Sequence, residues 1–237
     1  MHITLLTIGS RGDIQPFVAL GRGLRAAGHR VRLVSHAAFQ PLAEMYDLEF
    51  GLISTNPHQI LTTEAGQAWV ETGTNILGFV RQQMKLTGAF ARQILDEAWA
   101  ACEPATDLII FSLFGIPGYH IAERLRVPRM AAWLQPLSRT AAFPSLIVPP
   151  TWNFGPGFNR LTHRLAEYLT WLPFQRTFNR WRVETLGLPP LSATDPFKQI
   201  YRQQMPILYG FSPTVVPPPS DWPAWIAPRQ TLRVDVS

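Results

Sequence analysis

The first 35 residues leave this chain little topological choice. His2 to Ile8 is a short, mostly apolar run with β-branched residues that ends at Gly9, and it reads as a buried strand. From Ile14 onward, Phe17, Leu20, Leu24 and Ala27 recur at helical spacing. Pro16 suits a first helical turn and Gly28 follows as a stop. Arg30 to Ser35 returns as a second strand. Strand, glycine loop, helix and strand make a βαβ unit, which calls for parallel strands and a right-handed crossover.

The alternation continues. Asp47 to Leu52 reads as a third strand, and a helical stretch from Glu64 to Ala101 aligns Leu77, Val80, Met84, Ala91, Leu95 and Ala98 on one face. Asp107 to Phe111 reads as a strand, Tyr119 to Leu125 as a helix, and Arg129 to Leu134 and Pro206 to Phe211 as further strands. This order implies an α/β fold, a doubly wound parallel sheet of Rossmann-like type, in which ligands gather at the carboxyl ends of the strands. Gly9 to Asp13, directly after the first strand, falls in that crevice.

A chain of 237 residues, 46% hydrophobic and 16% charged, suits one globular core. Its single cysteine, Cys102, excludes an internal disulfide, fits a reducing compartment and reads as buried. Cys and His do not cluster at metal-ligand spacing, so no metal is expected. No apolar run approaches the roughly 18 residues of a membrane span, and no signal-peptide layout opens the chain. The expectation is a cytoplasmic protein. Its net charge of +5 would allow attraction to an anionic membrane surface or to nucleic acid.

Beyond Gln135 the composition shifts. Residues 136–156 are rich in proline and small residues, after which Phe158, Leu161, Leu165, Leu169 and Leu172 mark an amphipathic helix interrupted by Pro173. A second helix carries Phe174, Phe178 and Trp181. Between Trp152 and Glu184, Arg160, Arg164, Arg176, Arg180 and Arg182 face only Glu167 and Glu184. Three readings stand: helices packed on the domain with a solvated basic face; a cover for an apolar ligand pocket that touches a lipid surface; or, weakest, a nucleic-acid platform of aromatics and arginines. The stiff run Pro217 to Pro223 reads as an interdomain linker, dividing the chain into a domain over 1–215 and a linker with tail over 216–237.

The loop Thr7-Ile8-Gly9-Ser10-Arg11-Gly12-Asp13-Ile14-Gln15-Pro16 carries the chemistry. With glycines only at 9 and 12, and Ser35-His36 ending the second strand, it lacks the dinucleotide fingerprint; it also lacks the ending of a P-loop. Arg11-Gly12-Asp13 would serve adhesion only on an exposed extracellular loop. What remains is a hydroxyl, a guanidinium and a carboxylate beside a helix N-terminus, which attracts anions. Asp13 has two readings. It can cap the helix; or Pro16 takes the first helical position, Gln15 caps, and Asp13 is free. The second register is preferred. A carboxylate is a weak base, able to take a hydroxyl proton only as that oxygen forms its new bond.

The stretch ITLLTIGSRGDIQPFVALGRGLRAAGHRVRLVSHAAF closely resembles the start of the family 28-like sterol and lipid glucosyltransferases and the related antibiotic glycosyltransferases, which have the GT-B fold. Residues 179–191 (NRWRVETLGLPPL) and 207–223 (ILYGFSPTVVPPPSDWP) resemble later blocks of the same N-terminal domain. The resemblance implies a domain that binds a sterol or other lipid acceptor, while a second domain binds a UDP-sugar. It implies Asp13 as general base, and Gly9, Ser10, Arg11 and Gly12 beside the donor diphosphate. Ser112 falls where related plant enzymes keep an aspartate that orients a histidine base. Trp133, Gln135, Phe143, Trp152 and Trp181 are pocket candidates by position. The histidine-containing signature of the donor domain is absent from the sequence, and residues 226–237 do not resemble the family's continuation. A truncated product, or one chain of a two-chain enzyme with a separate donor-domain partner, is the resulting expectation.

Overall fold

In the computed structural model, residues 1–54, 91–102, 105–149, 151–152, 154–192 and 196–228 are described. Strand β1 (His2–Leu6) leads into helix α1 (Arg11–Ala26), then β2 (Arg30–His36), α2 (Gln40–Met45) and β3 (Glu49–Ile53). Helix α3 covers residues 91–101, followed by β4 (Leu108–Phe111), α4 (Pro117–Leu125) and β5 (Arg129–Trp133). Helices α5 (Pro156–Trp171), α6 (Gln175–Glu184) and α7 (Phe197–Arg202) precede β6 (Ile207–Tyr209) and β7 (Ile226–Pro228). The part of the expected long helix that precedes residue 91, with Leu77, Val80 and Met84, lies outside the described residues.

The strands form one seven-stranded sheet in the order β3-β2-β1-β4-β5-β6-β7, with every pairing parallel. The chain winds outward from β1 to β3, then returns to the other side of β1 and winds out again from β4. The neighbours β1 and β4, in register from Ile3 opposite Leu108 to Leu6 opposite Phe111, are therefore the switch point. Alternate residues serve the two faces: Leu5, Leu33 and Ile110 meet Ile14, Phe17 and Val18 of α1, while Leu6, Val34, Ile109 and Phe111 meet Leu95, Ala98, Tyr119 and Ile121. Cys102 is buried in that second layer, where desolvation pushes its thiol up to about 12 and leaves it unreactive.

Two elements depart from the sequence reading. Helix α1 starts at Arg11 with Ser10 as its cap, so Pro16 lies inside the helix rather than opening it. Ser10 and Asp13 carry the Ser-x-x-acidic spacing of a capping box, and that pairing outweighs the preference of proline for the first position. The second departure is β7. The proline-rich segment does not run straight out of the domain. Trp222 stacks on Tyr209 at 4.8 Å, Asp221 accepts hydrogen bonds from the Thr140 hydroxyl and the Ala141 amide, and Ile226 then pairs with Ile207. Three residues of the tail thus extend the sheet.

Candidate functional site

The carboxyl edge of β1 is shaped by a contact between a glycine and a carboxylate. Gly9 adopts φ +141°, and a Cβ there would sit 2.4 Å from Asp13 Oδ2. Only glycine lets the Asp13 side chain fold back over the loop. There Oδ2 accepts hydrogen bonds from the Ser10 amide at 2.8 Å and the Ser10 hydroxyl at 3.0 Å, and the Thr7 hydroxyl donates to the Asp13 carbonyl at 3.2 Å. The expectation that Gln15 caps the helix and leaves Asp13 without a structural task is thereby corrected: Asp13 is the third residue of the helix and its side chain holds the cap. Its Oδ1 makes no hydrogen bond among the described residues. The result is a carboxylate fixed in place, partly exposed, with one oxygen engaged and the other not.

Arg11 and Gly12 form the exposed first turn of α1, so the tripeptide is helical rather than looped. A Cβ at Gly12 would meet nothing nearer than Ser10 Oγ at 3.7 Å. Nothing within the described chain requires glycine there, although glycine in a helix costs roughly 1 kcal/mol against alanine.

The loop after β4 crowds the same edge. A Cβ at Gly115 would lie 2.1 Å from the Leu6 carbonyl oxygen, so this turn crosses directly over the end of β1. The Ser112 amide donates to Leu6, and the Ser112 hydroxyl accepts from the Gly115 amide, both at 3.0 Å. Ser112 is buried and its hydroxyl closes its own turn.

The other predicted residues separate. Trp133 ends β5, buried edge-on to Tyr209 at 6.2 Å, and its indole N–H finds no acceptor among the described residues. Gln135 follows it, exposed. Phe143 is half-buried, its carbonyl accepting from His163 Nε2 at 3.2 Å. Trp152 is exposed and lies just before α5. Trp181 is fully buried among Trp171, Phe178 and His120, so it packs the core and opens on no pocket. The switch point therefore gathers the Gly9 to Asp13 stretch and Ser112; Trp133 and Gln135 stand further along the same edge.

Arg182 departs furthest from its reading as part of a solvated basic face. It is fully buried, donating to Glu123 at 2.9 Å, to the Pro189 carbonyl at 2.9 Å and to His120 Nδ1 at 2.8 Å. A guanidinium only donates, so His120 accepts through Nδ1 and carries its proton on Nε2. Burial holds the His120 imidazole well below its ordinary pKa, with Arg182 and Arg129 pushing the same way. This network clamps α6 to α4, the helix that begins at the switch point. Sequence reasoning missed it because a periodic basic and aromatic pattern does not say which cation turns inward.

Comparison with known proteins narrows what this edge belongs to. Residues 3–144 match the glycosyltransferase family 28 N-terminal domain. The chain belongs to that family. It is 38% identical over 226 residues to a sterol 3-beta-glucosyltransferase of Gibberella zeae, across 95% of this chain and 15% of that protein. With the sterol 3-beta-glucosyltransferase of Komagataella phaffii it shares 36% over 222 residues, 94% of this chain and 18% of that protein. The chain thus spans less than a fifth of the length of these relatives. Among solved structures, CalG4, the calicheamicin glycosyltransferase, superposes with a TM-score of 0.61 at 15% identity, over 94% of this chain and 51% of that one. That likeness establishes the Rossmann-like GT-B fold. Within the family 28 domain, the matched stretch holds β1 through β5 and hence the entire switch point; α5 and α6 lie beyond it.

Proposed function

We propose that this family 28 domain is the acceptor-binding half of an inverting glycosyltransferase that moves a hexose from a UDP-sugar to the hydroxyl of a sterol or similar lipid. The observation that carries the reading is the Asp13 carboxylate, pinned by Ser10 at the switch point with Oδ1 unengaged. In the reaction the acceptor oxygen bonds to the anomeric carbon, the bond from that carbon to the diphosphate oxygen breaks, and UDP departs. The hydroxyl proton passes to Asp13 as the new bond forms, the stage at which a weak base can take it. Arg11, together with the amides of Arg11 and Gly12 at the helix N-terminus, would offset the charge growing on the diphosphate. Gly12 supports this role, since its missing side chain answers no contact inside the described chain and leaves the helix end open to close approach.

Most of the donor site would lie on a second domain, so the chain alone is expected not to turn over. A complete enzyme could supply that domain from the same polypeptide or from a partner chain. One observation favours a second reading, a lipid-binding module without chemistry: the capping box already gives Asp13 a structural reason to exist. Asp13→Asn separates the two, because asparagine keeps an oxygen for the cap but cannot take the proton. In the chain joined to a matching donor domain, turnover should fall by roughly 10² to 10⁴ with acceptor affinity unchanged. Undiminished turnover would refute the base assignment.

A further inference from the structure

The chain that leaves β5 at the carboxyl edge of the sheet takes its shape from other elements. Between Gln135 and Ser145 it holds Pro136 and Pro144, which have no amide to donate, and it enters neither a helix nor a ladder. Buried peptide groups need partners all the same, so this stretch borrows side chains. For residues 141–145 they come from α5. Asn159 Nδ2 donates to the Ala141 carbonyl at 2.9 Å, the Ser145 amide donates to Thr162 Oγ1 at 2.8 Å, and His163 Nε2 donates to the Phe143 carbonyl.

For residues 138–142 the partners come from much later in the chain. The Ser138 amide donates to the Tyr209 hydroxyl at 2.8 Å, which donates back to the Ser138 hydroxyl at 2.6 Å, and the Arg139 amide donates to the Tyr201 hydroxyl at 2.7 Å. Asp221 closes the middle of the loop. Its Oδ1 accepts from the Thr140 hydroxyl at 2.6 Å and its Oδ2 from the Ala141 amide at 2.8 Å. Thr140 Oγ1 accepts in turn from the Ala142 amide at 3.0 Å, so one carboxylate fixes three consecutive residues. Ser138 and Thr140 are fully buried.

Asp221 is set apart by its origin and its charge. It belongs to the connection between β6 and β7, whose prolines read as a linker, and its neighbour Trp222 stacks on the same Tyr209 that holds Ser138. Desolvation works against its ionised form, but the bonds from Thr140, Ala141 and Arg160 hold its carboxyl below the ordinary pKa. Bonds to an ionised acceptor are roughly twice as strong as neutral ones. The span it fixes lies between Gln135, exposed at the site edge, and Phe143.

We propose that Asp221 is a positioning residue for the acceptor: it holds residues 138–142 so that Gln135 and Phe143 are presented at the carboxyl edge, and it raises acceptor affinity without touching the acceptor. The affinity claim rests on the acceptor reading given above. The hold on the loop does not.

Two measurements on the full chain test this. Hydrogen exchange, followed by mass spectrometry, should run about tenfold faster in the peptide covering residues 138–142 of Asp221→Ala, the factor equivalent to about 1.4 kcal/mol, with the strands unaffected. Affinity for dehydroergosterol, read by energy transfer from tryptophan, should fall about tenfold in the same variant. Asp221→Asn, which keeps an oxygen for the Ala141 amide, should fall between native and alanine in both. Arg160→Ala, which removes only the tie to α5, should leave the loop near native. If Asp221→Ala unfolds the chain, Asp221→Asn and Thr140→Val carry the test, each expected to loosen the loop and weaken binding. Unchanged exchange in the variants, a loosened loop with unchanged affinity, or equal loosening by Arg160→Ala overturns the proposal. No binding of the probe by the native chain overturns the affinity claim together with the acceptor reading, whereas exchange, which needs no ligand, still decides whether Asp221 holds the loop.

Discussion

Helices α1 and α5 have the same length, 16 residues, and both carry an apolar stripe at helical spacing, yet α1 buries its stripe and α5 buries its polar side. Helix α1 buries Ile14, Phe17 and Val18 against β1 and β2, as an amphipathic helix beside a parallel sheet is expected to do. Helix α5 buries hydrogen-bonding side chains and exposes its leucines. The difference lies in what each helix packs against. A sheet has already paired its peptide groups and offers apolar side chains, so it selects an apolar face. A proline-rich loop offers unpaired carbonyls and amides, and it selects a polar one.

The largest expected effect separates the two stripes directly. Phe17→Ala should destabilise the protein by about 3–5 kcal/mol, whereas Leu165→Ala should stay within about 0.5 kcal/mol. Urea unfolding of the two variants measures both, and similar losses would break the contrast between an inward and an outward stripe. Thr162→Val comes next. It keeps the shape of the side chain but strands the Ser145 amide, at a cost of about 1–3 kcal/mol. A neutral outcome in the same unfolding assay would show that the polar face is not what fixes α5.

The smallest effect concerns the far end of α5, where Trp171 leans on the His120 ring. His120 is held well below its ordinary pKa in the folded protein, chiefly by burial, so the unfolded chain binds a proton that the folded chain refuses. The stability this withholds from protonation is complete above about 6.5, the unfolded value, and falls as pH drops toward the folded pKa. The loss can reach at most about 1.4 kcal/mol per pH unit from this one group. His163, also lowered mainly by burial, contributes with the same sign. His120→Asn keeps an acceptor for Arg182 but does not titrate, and melting temperatures between pH 7.5 and 5.5 should then fall less steeply than in the native chain. An unchanged slope would remove His120 from the account.

The strands β1 to β6 and the helices α1, α4, α5 and α6 between them were legible, because buried parallel strands are short apolar runs and their helices repeat at 3.6 residues; the short helices α2 and α7 were not. The placement of Gly9 to Asp13 beyond the carboxyl end of the first strand was legible for the same reason. The start of α1 was misjudged although its signal stood in the sequence: Ser10 and Asp13 lie three apart, and the proline drew the boundary away from them. Trp181 and Arg182 were read as surface or pocket residues, yet both are fully buried, since a helix that is aromatic and basic all round gives no inward direction on its own. Strand β7 left hardly any trace, being three residues long and preceded by prolines.

By itself the sequence determined the parallel α/β architecture, the loop that offers a carboxylate beside a helix end, and, through ordered blocks of resemblance, the family. These depend on neighbours in the chain: strand runs, helix spacing and turn residues act over a few positions. Only the tertiary structure decided that Asp13 is held by Ser10 rather than left free, that Arg182 is buried against Glu123 and His120, and that α5 turns its leucines outward. Each of those depends on which unpaired donors and acceptors a distant segment brings alongside. Periodicity can draw a stripe on a helix, but the stripe acquires an inside and an outside only when the partner surface is in place.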